Sequence, residues 1–410
     1  MEKLSLYIHI PFCIKKCRYC DFLSAPCDAD TRAAYIKALI REIRQSEYGG
    51  SRVTTVFFGG GTPTTLKTEL LKEIMDNVRD IFTLDEDAEI SIECNPGTVD
   101  KDKLGRLKDM GFNRLSIGLQ SANDDELKYL GRIHNYEEFL ETYKNAREVG
   151  FENINVDIMS ALPGQTIDSY KDTLKKVISL GPEHISAYSL IIEEGTEFWD
   201  IYGDDGNTLT ETEPAEGVLP LPDEDTERDM YYLTKKMLEE AGYHRYEISN
   251  YARDGYECRH NKVYWTGDPY IGFGIGAASY ADGVRWSNTD ELYPYMKLLL
   301  KEENMVFTYD DEEDEAAEED RPLQTAWRQG YQRLSPNDKM EEFMIVGLRL
   351  MKGVSREKWK SLFGKDIEEV FGKQIKKSVE EGLLVTEGDD IRLSSKGIDV
   401  SNIVLARFLL

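Results

Sequence analysis

From Leu4 to about Leu190, short β-branched and apolar runs alternate with longer stretches whose apolar positions recur every three or four residues. The short runs are Leu4–Ile10, Val53–Phe58, Glu89–Glu93, Asn113–Gly118, Asn153–Ile158 and His184–Ser189, and they predict strands. Stretches such as Tyr35–Glu47, Leu70–Ile81 and Ser169–Leu180 predict helices. Strand followed by helix, repeated, implies a parallel sheet covered by helices. A faint internal repeat supports this: Gly111-Phe112-Asn113-Arg114-Leu115-Ser116-Ile117 aligns with Gly150-Phe151-Glu152-Asn153-Ile154-Asn155-Val156, each glycine ending a helix before a strand. Gly50 and Gly181 hold the same place ahead of two other strands. Six β-α units fall about two short of a closed eight-stranded barrel, so the expected fold is α/β, an open partial (β/α)6 barrel. Its site belongs at the carboxyl ends of the strands.

The pattern changes beyond Glu193, and three segments are expected: the barrel over 1–200, an extension over 201–334 and a C-terminal domain over 335–410. Residues Asp204–Asp229 are acidic and rich in Gly, Thr and Pro, and read as a long loop. A strand-like unit follows Gly242, and Gly272-Phe273-Gly274-Ile275-Gly276 permits close backbone packing. Residues 310–320 carry nine carboxylates in eleven positions, a run that cannot collapse on itself and reads as an exposed insertion. In the last segment, helical patterns at Asp338–Met351 and Ile367–Glu381 precede strands Leu383–Thr386 and Ile391–Ser394 and a final helix, the order of a winged helix. Thirteen basic and thirteen acidic residues over 336–410 make it neutral, which favours packing over DNA binding.

Composition narrows the classes. With 40% hydrophobic residues among 410, the chain can build a core and is not disordered throughout. A net charge of −27 opposes nucleic acid and anionic membranes as partners. No run of 18 apolar residues and no signal-like N-terminus is present, so a cytoplasmic chain without a transmembrane segment is expected. Six cysteines are too few for a disulfide framework, yet Cys13, Cys17 and Cys20 fall together.

Those three form C-x3-C-x2-C on a loop directly after the first strand. Iron–sulfur cubanes are held by thiolates from short loops, ordinarily four of them. Three thiolates leave one iron open to a chelating ligand such as the amino and carboxylate groups of S-adenosylmethionine. Zinc is the rival, although its sites usually draw two separated pairs of ligands. Lys15, Lys16 and Arg18 are expected to lower thiolate pKa values and offset the cluster's charge. Phe57-Phe58-Gly59-Gly60-Gly61-Thr62-Pro63 ends the second strand, and its glycines let backbone approach a small ligand, or else simply make a strand-to-helix turn. Glu93, Gln120, Arg132 and Asp157 sit at or after strand ends, as ligand contacts or as ordinary salt-bridging residues. Tyr7 and His9 share one strand face, so His9 lies near the reacting centre or is a packed histidine.

With Tyr7-Ile8-His9-Ile10-Pro11-Phe12-Cys13 leading into the triad, the chain resembles the radical S-adenosylmethionine superfamily, and within it the oxygen-independent coproporphyrinogen III oxidase-like group. The likeness extends through Leu221-Pro222-Asp223-Glu224-Asp225-Thr226-Glu227, Tyr246-Glu247-Ile248-Ser249-Asn250-Tyr251-Ala252 and the C-terminal domain. It implies a 4Fe-4S cluster on Cys13, Cys17 and Cys20. It also implies an S-adenosylmethionine site lined by Tyr7, Tyr19, Gly60, Gly61, Thr62, Glu93, Gln120, Arg132 and Asp157.

Two features bear on function. Oxidase-type members carry a fourth cysteine two residues past the triad, where this chain has Phe22, which argues against coproporphyrinogen III decarboxylation. Cys258-Arg259-His260-Asn261-Lys262-Val263-Tyr264-Trp265 resembles the signature of the HemW-type haem chaperones. That resemblance implies haem bound through His260, with Tyr264 and Trp265 offering apolar surface to the porphyrin, and a histidine capped by aromatics is the alternative. It further implies an acceptor protein for the haem, an electron donor for the cluster and a homodimer. Cys258 reads as a second ligand or a small buried side chain, and Cys27 and Cys94 as small buried side chains.

Overall fold

In the computed structural model, which describes residues 3–203, 217–300 and 326–410, all six expected strands form. They are β1 (Lys3–Ile10), β2 (Arg52–Gly60), β3 (Thr83–Cys94), β4 (Arg114–Gln120), β5 (Asn153–Ser160) and β6 (His184–Ser189). Helices Ala29–Arg44, Thr68–Ile81, Lys101–Asp109, Tyr136–Glu148 and Ile167–Leu180 run between them, so the α/β class holds. Caps set the helix starts. The Asp28 carboxylate accepts from Thr31 N, beginning the first helix well before the apolar run at Tyr35, and Asn135 with Glu138 forms a reciprocal capping box. At the other ends Gly111, Gly150 and Gly181 take φ of 91°, 93° and 64°, the left-handed turn the repeat requires.

Shorter strands follow: β7 (His244–Arg245), β8 (Asn250–Ala252), β9 (Tyr270–Phe273), β10 (Ala278–Ala281), β11 (Val284–Asn288), β12 (Arg328–Arg333), β13 (Val354–Ser355), β14 (Leu384–Glu387) and β15 (Asp390–Leu393). The chain divides into two units. The first holds Met1–Glu152, Ile191–Pro220 and Pro269–Gln332, and the second Asn153–Leu190, Leu221–Asp268 and Arg333–Leu410.

In the first unit the strand order is β12-β11-β10-β9-β1-β2-β3-β4. Parallel pairing joins β9, β1, β2, β3 and β4, whereas β10 runs antiparallel to β9 and β11. The register sets Tyr7 beside Phe57 and His9 beside Gly59, bringing the end of β1 to the glycine run. A buried polar knot fixes that end. Glu42 accepts from Gly274 N at 2.8 Å and Asn288 Nδ2 at 2.7 Å and from the Tyr295 hydroxyl, while Tyr35 donates to His9 O at 2.8 Å. Burial lifts the Glu42 carboxyl to about 6 against the pull of its donors.

In the second unit β5 and β6 pair in parallel, and β6 pairs antiparallel with β8, which pairs with β7. The loop expected over Asp204–Asp229 ends sooner: helix Glu224–Glu240 begins there, capped by Asp223 on Thr226 N, with Met230, Thr234 and Leu238 buried along one face. Its acidic first turn suits the positive end of the helix dipole, so a composition that suggests loop serves as a helix start. The acidic run 310–320 lies outside the described residues.

The C-terminal segment has the expected order of helices and strands, with strand β13 and one helix added and the last helix divided into Ser395–Asp399 and Ser401–Leu405. Helix Arg356–Phe363 stands between Pro336–Gly347 and Ile367–Glu380, and the small sheet runs β13-β15-β14. Trp359, Phe371 and Phe408 are buried at its centre, with ring centroids 5.7 and 5.3 Å apart in edge-on contacts. Among the described residues no helix is long and apolar enough to cross a membrane.

Candidate cofactor-binding site

The cysteine loop leaves β1 at Pro11 and is pinned at both ends. Ala25 N donates to Pro11 O at 3.0 Å, and Cys13 N to Ala25 O at 3.2 Å. Inside it, Cys20 N donates to Cys17 O at 3.2 Å, closing the turn that carries the second and third thiols. None of the three cysteines is in a disulfide; Cys13 is buried, and Cys17 and Cys20 are half-buried. Burial, reinforced by the neighbouring Cys17 and Cys13 thiolates, pushes the Cys20 thiol up to about 11, so the expected lowering by the loop's basic residues does not prevail there. Lys16 opposes that rise only in part.

Arg18 has a different task from the one its position suggests. Its Nε donates to Glu197 Oε1 at 2.8 Å, its Nη1 to Tyr129 O at 3.1 Å, and its guanidinium lies 4.6 Å from the Tyr129 ring centroid. Its backbone is held as well, Arg18 N donating to Leu130 O and Phe198 N to Arg18 O. Arg18 therefore anchors the loop. Among the described residues no three His, Cys, Asp or Glu side chains converge on one ion-sized point. The three thiols lie along the loop within electrostatic reach of one another.

Packing accounts for the glycine run. A Cβ on Gly60, whose φ is +113°, would stand 2.6 Å from His9 Cε1, and one on Gly61 would stand 3.0 Å from Cys13 Sγ. Gly60 N donates to Glu93 Oε2 at 3.2 Å, which ties the end of β2 to the end of β3. Thr62 N donates to Phe12 O at 2.8 Å, and Thr62 Oγ1 lies 3.7 Å from Cys13 Sγ.

His9 Nε2 reaches Leu23 O at 2.9 Å, and a carbonyl only accepts, so that nitrogen carries the proton and Nδ1 accepts from the Tyr7 hydroxyl at 3.1 Å. Burial lowers its pKa and keeps the ring neutral. Gln120 ends β4 in the left-handed region at φ 72°, a conformation that costs a side chain of this kind roughly 1 kcal/mol or more and redirects the chain at the strand mouth. Arg132 gathers the site: Nη2 donates to Asn95 Oδ1 and Gly118 O, both at 2.6 Å, and Nη1 lies 3.7 Å from Cys17 Sγ. Tyr19 shares this guanidinium; burial raises its phenol pKa while Arg132 pulls it down. Tyr7, His9, Tyr19, Gly60, Gly61, Thr62, Glu93, Gln120 and Arg132 thus all belong to the first unit. Asp157 lies on β5 in the second, where its Oδ1 accepts from Asn155 Nδ2 at 2.7 Å.

Two residues in the first unit escaped sequence reasoning. Asn95 Nδ2 donates to Thr62 Oγ1 at 2.7 Å, and only its place just past the end of β3 marks it in the sequence. His134, two positions beyond Arg132, is buried, and burial together with the charge of Arg132 brings it down to about 3.

In the second unit the helix Arg259–Thr266 carries the His-Asn-x-x-Tyr-Trp residues. Cys258 caps it, its sulfur accepting from Asn261 N at 3.4 Å, and Gly267 ends it in a left-handed turn. His260 is buried, with Nε2 3.0 Å from the Tyr264 hydroxyl and the two rings edge-on at 87°. The Arg349 guanidinium lies 4.5 Å from the Trp265 ring centroid. Asn261 Nδ2 donates to the Tyr246 hydroxyl at 3.3 Å, which lies 2.9 Å from His184 Nε2; His184 Nδ1 lies 2.6 Å from Asn155 Oδ1. Since Asn155 turns its amide nitrogen to Asp157, the donors run in one direction from the signature helix to that carboxylate. Of the other cysteines, Cys94 is buried, and burial pushes it up to about 12, while Cys27 is half-buried.

Residues 7–177 match the Radical SAM superfamily, and residues 334–400 match the HemN C-terminal domain. The chain is 35% identical to "Heme chaperone HemW" of Bacillus subtilis, covering 99% of each, and 33% identical to the Escherichia coli protein of that name, covering 100% of this chain and 99% of the relative. It is 31% identical to "Radical S-adenosyl methionine domain-containing protein 1, mitochondrial" of Danio rerio, over 99% of this chain and 87% of that one. Among solved structures, the Escherichia coli coproporphyrinogen III oxidase HemN, described as a radical SAM enzyme, superposes with a TM-score of 0.80 at 25% identity, over 100% of this chain and 90% of the other. With the thiol loop, the glycine run and the C-terminal fold all in their places, the chain belongs to the HemW family of the radical SAM superfamily.

Proposed function

We propose that this chain is a haem chaperone, which holds a 4Fe-4S cluster on Cys13, Cys17 and Cys20, binds S-adenosylmethionine beside it, and carries haem for delivery to an acceptor protein. The observation that carries this reading is the end-to-end likeness to Heme chaperone HemW proteins. Phe22 supports it: it stands 61% exposed two positions beyond Cys20, with no sulfur to offer.

The residues present fit the cluster, since three thiols outside any disulfide lie on one pinned loop and two of them face polar groups, Thr62 and Arg132. When bound, such a cluster supplies single electrons and an open iron for the amino and carboxylate groups of S-adenosylmethionine. The protein's part is positional. Gly60 and Gly61 keep side chains out of the approach, Glu93 offers a carboxylate to positive charge, and Arg132 brings a fixed cation to the thiolates. Tyr7, Tyr19 and Gln120 complete the proposed contacts. His9, neutral and held from both sides, shapes the floor.

Haem is assigned to His260, with Tyr264 and Trp265 close by. Because His260 Nε2 is bonded to Tyr264, ligation of haem by that nitrogen requires the bond to open. The reading also includes an electron donor for the cluster and a homodimer. Titrating the reconstituted full-length chain with haem is expected to give a Soret band that weakens in His260→Ala, and an unchanged band would remove His260 from the haem site.

A second reading, a radical oxidase acting on a porphyrinogen, is favoured by the TM-score of 0.80 to the oxidase. Incubation with coproporphyrinogen III, a reductant and S-adenosylmethionine separates the two. No protoporphyrinogen IX is expected, and steady formation of it would replace the chaperone reading.

A further inference from the structure

We infer that Asn95 is a positioning residue of the cluster site: it aims Thr62 at the Cys13 thiolate and Arg132 at the Cys17 thiolate, and so sets the reduction potential of the cluster. The inference rests on the assignment of the cluster to the three cysteines.

The hydrogen bonds leave little freedom in how the protons lie. Arginine has donors only, so Asn95 Oδ1, 2.6 Å from Arg132 Nη2, must accept, which settles the orientation of the amide. Asn95 Nδ2 then faces Thr62 Oγ1 at 2.7 Å and donates to it. With a lone pair of Oγ1 engaged, the Thr62 hydroxyl proton is directed to its remaining neighbour, Cys13 Sγ at 3.7 Å. On the other side, Arg132 held against Asn95 and Gly118 O points Nη1 at Cys17 Sγ, also 3.7 Å away. One amide thus aligns two separate donors on two of the three thiols.

The surroundings are built around that amide. Asn95 precedes Pro96, which restricts its backbone to extended conformations, and its carbonyl accepts from Thr98 N at 3.1 Å and Thr98 Oγ1 at 2.6 Å. Gly118 lies beneath the Asn95–Arg132 pair, and a Cβ there would stand 2.9 Å from Asn95 Oδ1 and 3.2 Å from Arg132 Nη2. Hydrogen bonds to ligating sulfurs are a recognised control on iron–sulfur potentials, because donors disperse the charge that reduction adds. Loss of aligned donors therefore moves the midpoint negative.

The test uses anaerobically reconstituted full-length protein, with iron and sulfide assayed and the midpoint read by EPR-monitored redox titration. Asn95→Leu removes both functions of the amide, and is expected to keep its iron while its midpoint shifts negative. Asn95→Asp keeps the acceptor for Arg132 but turns the Thr62 hydroxyl toward the new carboxylate. Thr62→Val should then shift the midpoint in the wild-type background and scarcely at all in the Asn95→Asp background. A midpoint unchanged in a fully loaded Asn95→Leu protein, or a Thr62→Val shift of equal size in both backgrounds, overturns the inference. Should Asn95→Leu fail to load iron, the comparison of Thr62→Val between wild type and Asn95→Asp decides alone. A wild-type chain that takes up no iron would instead end the cluster reading itself.

Discussion

Two hydrogen-bonded chains run through this protein, and they end differently. In the first unit Arg132, Asn95 and Thr62 lead to the sulfurs of Cys17 and Cys13, soft atoms outside any disulfide. In the second, Asn261, Tyr246, His184 and Asn155 lead to the Asp157 carboxylate, while His260 beside them already has Tyr264 as a partner. The first arrangement has its donors in place before a ligand arrives. The second satisfies its own groups, and a ligand at His260 must displace one of them. Preorganisation of this kind separates a site that binds at little rearrangement cost from one that binds only by exchanging partners.

The largest expected effect breaks the comparison at the thiols. Cys17→Ala should reduce iron bound after anaerobic reconstitution from about four per chain to near none, whereas His260→Ala should leave it unchanged. Equal losses in both would mean that the regions are not separate in function. Next comes rigidity. Gly60→Ala forces a Cβ against His9 at a positive φ and should cost roughly 2 to 4 kcal/mol of stability, while Cys258→Ala, which removes a helix cap, should cost about 1 kcal/mol or less. Denaturant midpoints measure both.

A pH test addresses the first unit alone. His134 is brought down to about 3 from an ordinary 6.5, so between those values the unfolded chain binds a proton that the folded chain refuses. Stability must fall as the pH drops through this window, by about 2 kcal/mol between pH 7 and pH 5. Unfolding of His134→Gln at the two pH values should lack that component. An equal slope in the variant would show that this imidazole does not titrate as described. The smallest effect sharpens the second region: Tyr264→Phe removes the hydroxyl contact to His260 Nε2, and haem affinity should rise about fivefold, corresponding to about 1 kcal/mol. A weaker Soret titration in that variant would instead make the Tyr264 hydroxyl a contributor to haem binding.

Much of the architecture was legible because it rests on local patterns. The triad, the glycine run and the six strands each sit within a few residues of sequence, and all six strands formed, β3 beginning six residues earlier than expected and the other ends moving by two at most. What escaped depends on partners far along the chain. Arg18 looked like a charge for the thiolates, but Tyr129 and Glu197, 111 and 179 residues away, take its guanidinium. Asn95 carries no motif, and its importance appears only when Arg132, 37 residues on, folds back beside it. Helix Glu224–Glu240 was hidden at its start by acidic residues that serve its first turn. Strands β9–β12 are only four to six residues long, too short for an alternation to announce them.

The double hold on Arg18, through its backbone to Leu130 and Phe198 and through its head to Glu197, ties the middle of the loop to the polypeptide itself. Small zinc domains, by contrast, collapse when stripped of their ion. Chelation should therefore bleach this protein without unfolding it, and circular dichroism before and after stripping should superimpose. An emptied chain of that kind can be refilled, so damage by oxygen becomes an interruption in its working life and not the end of it.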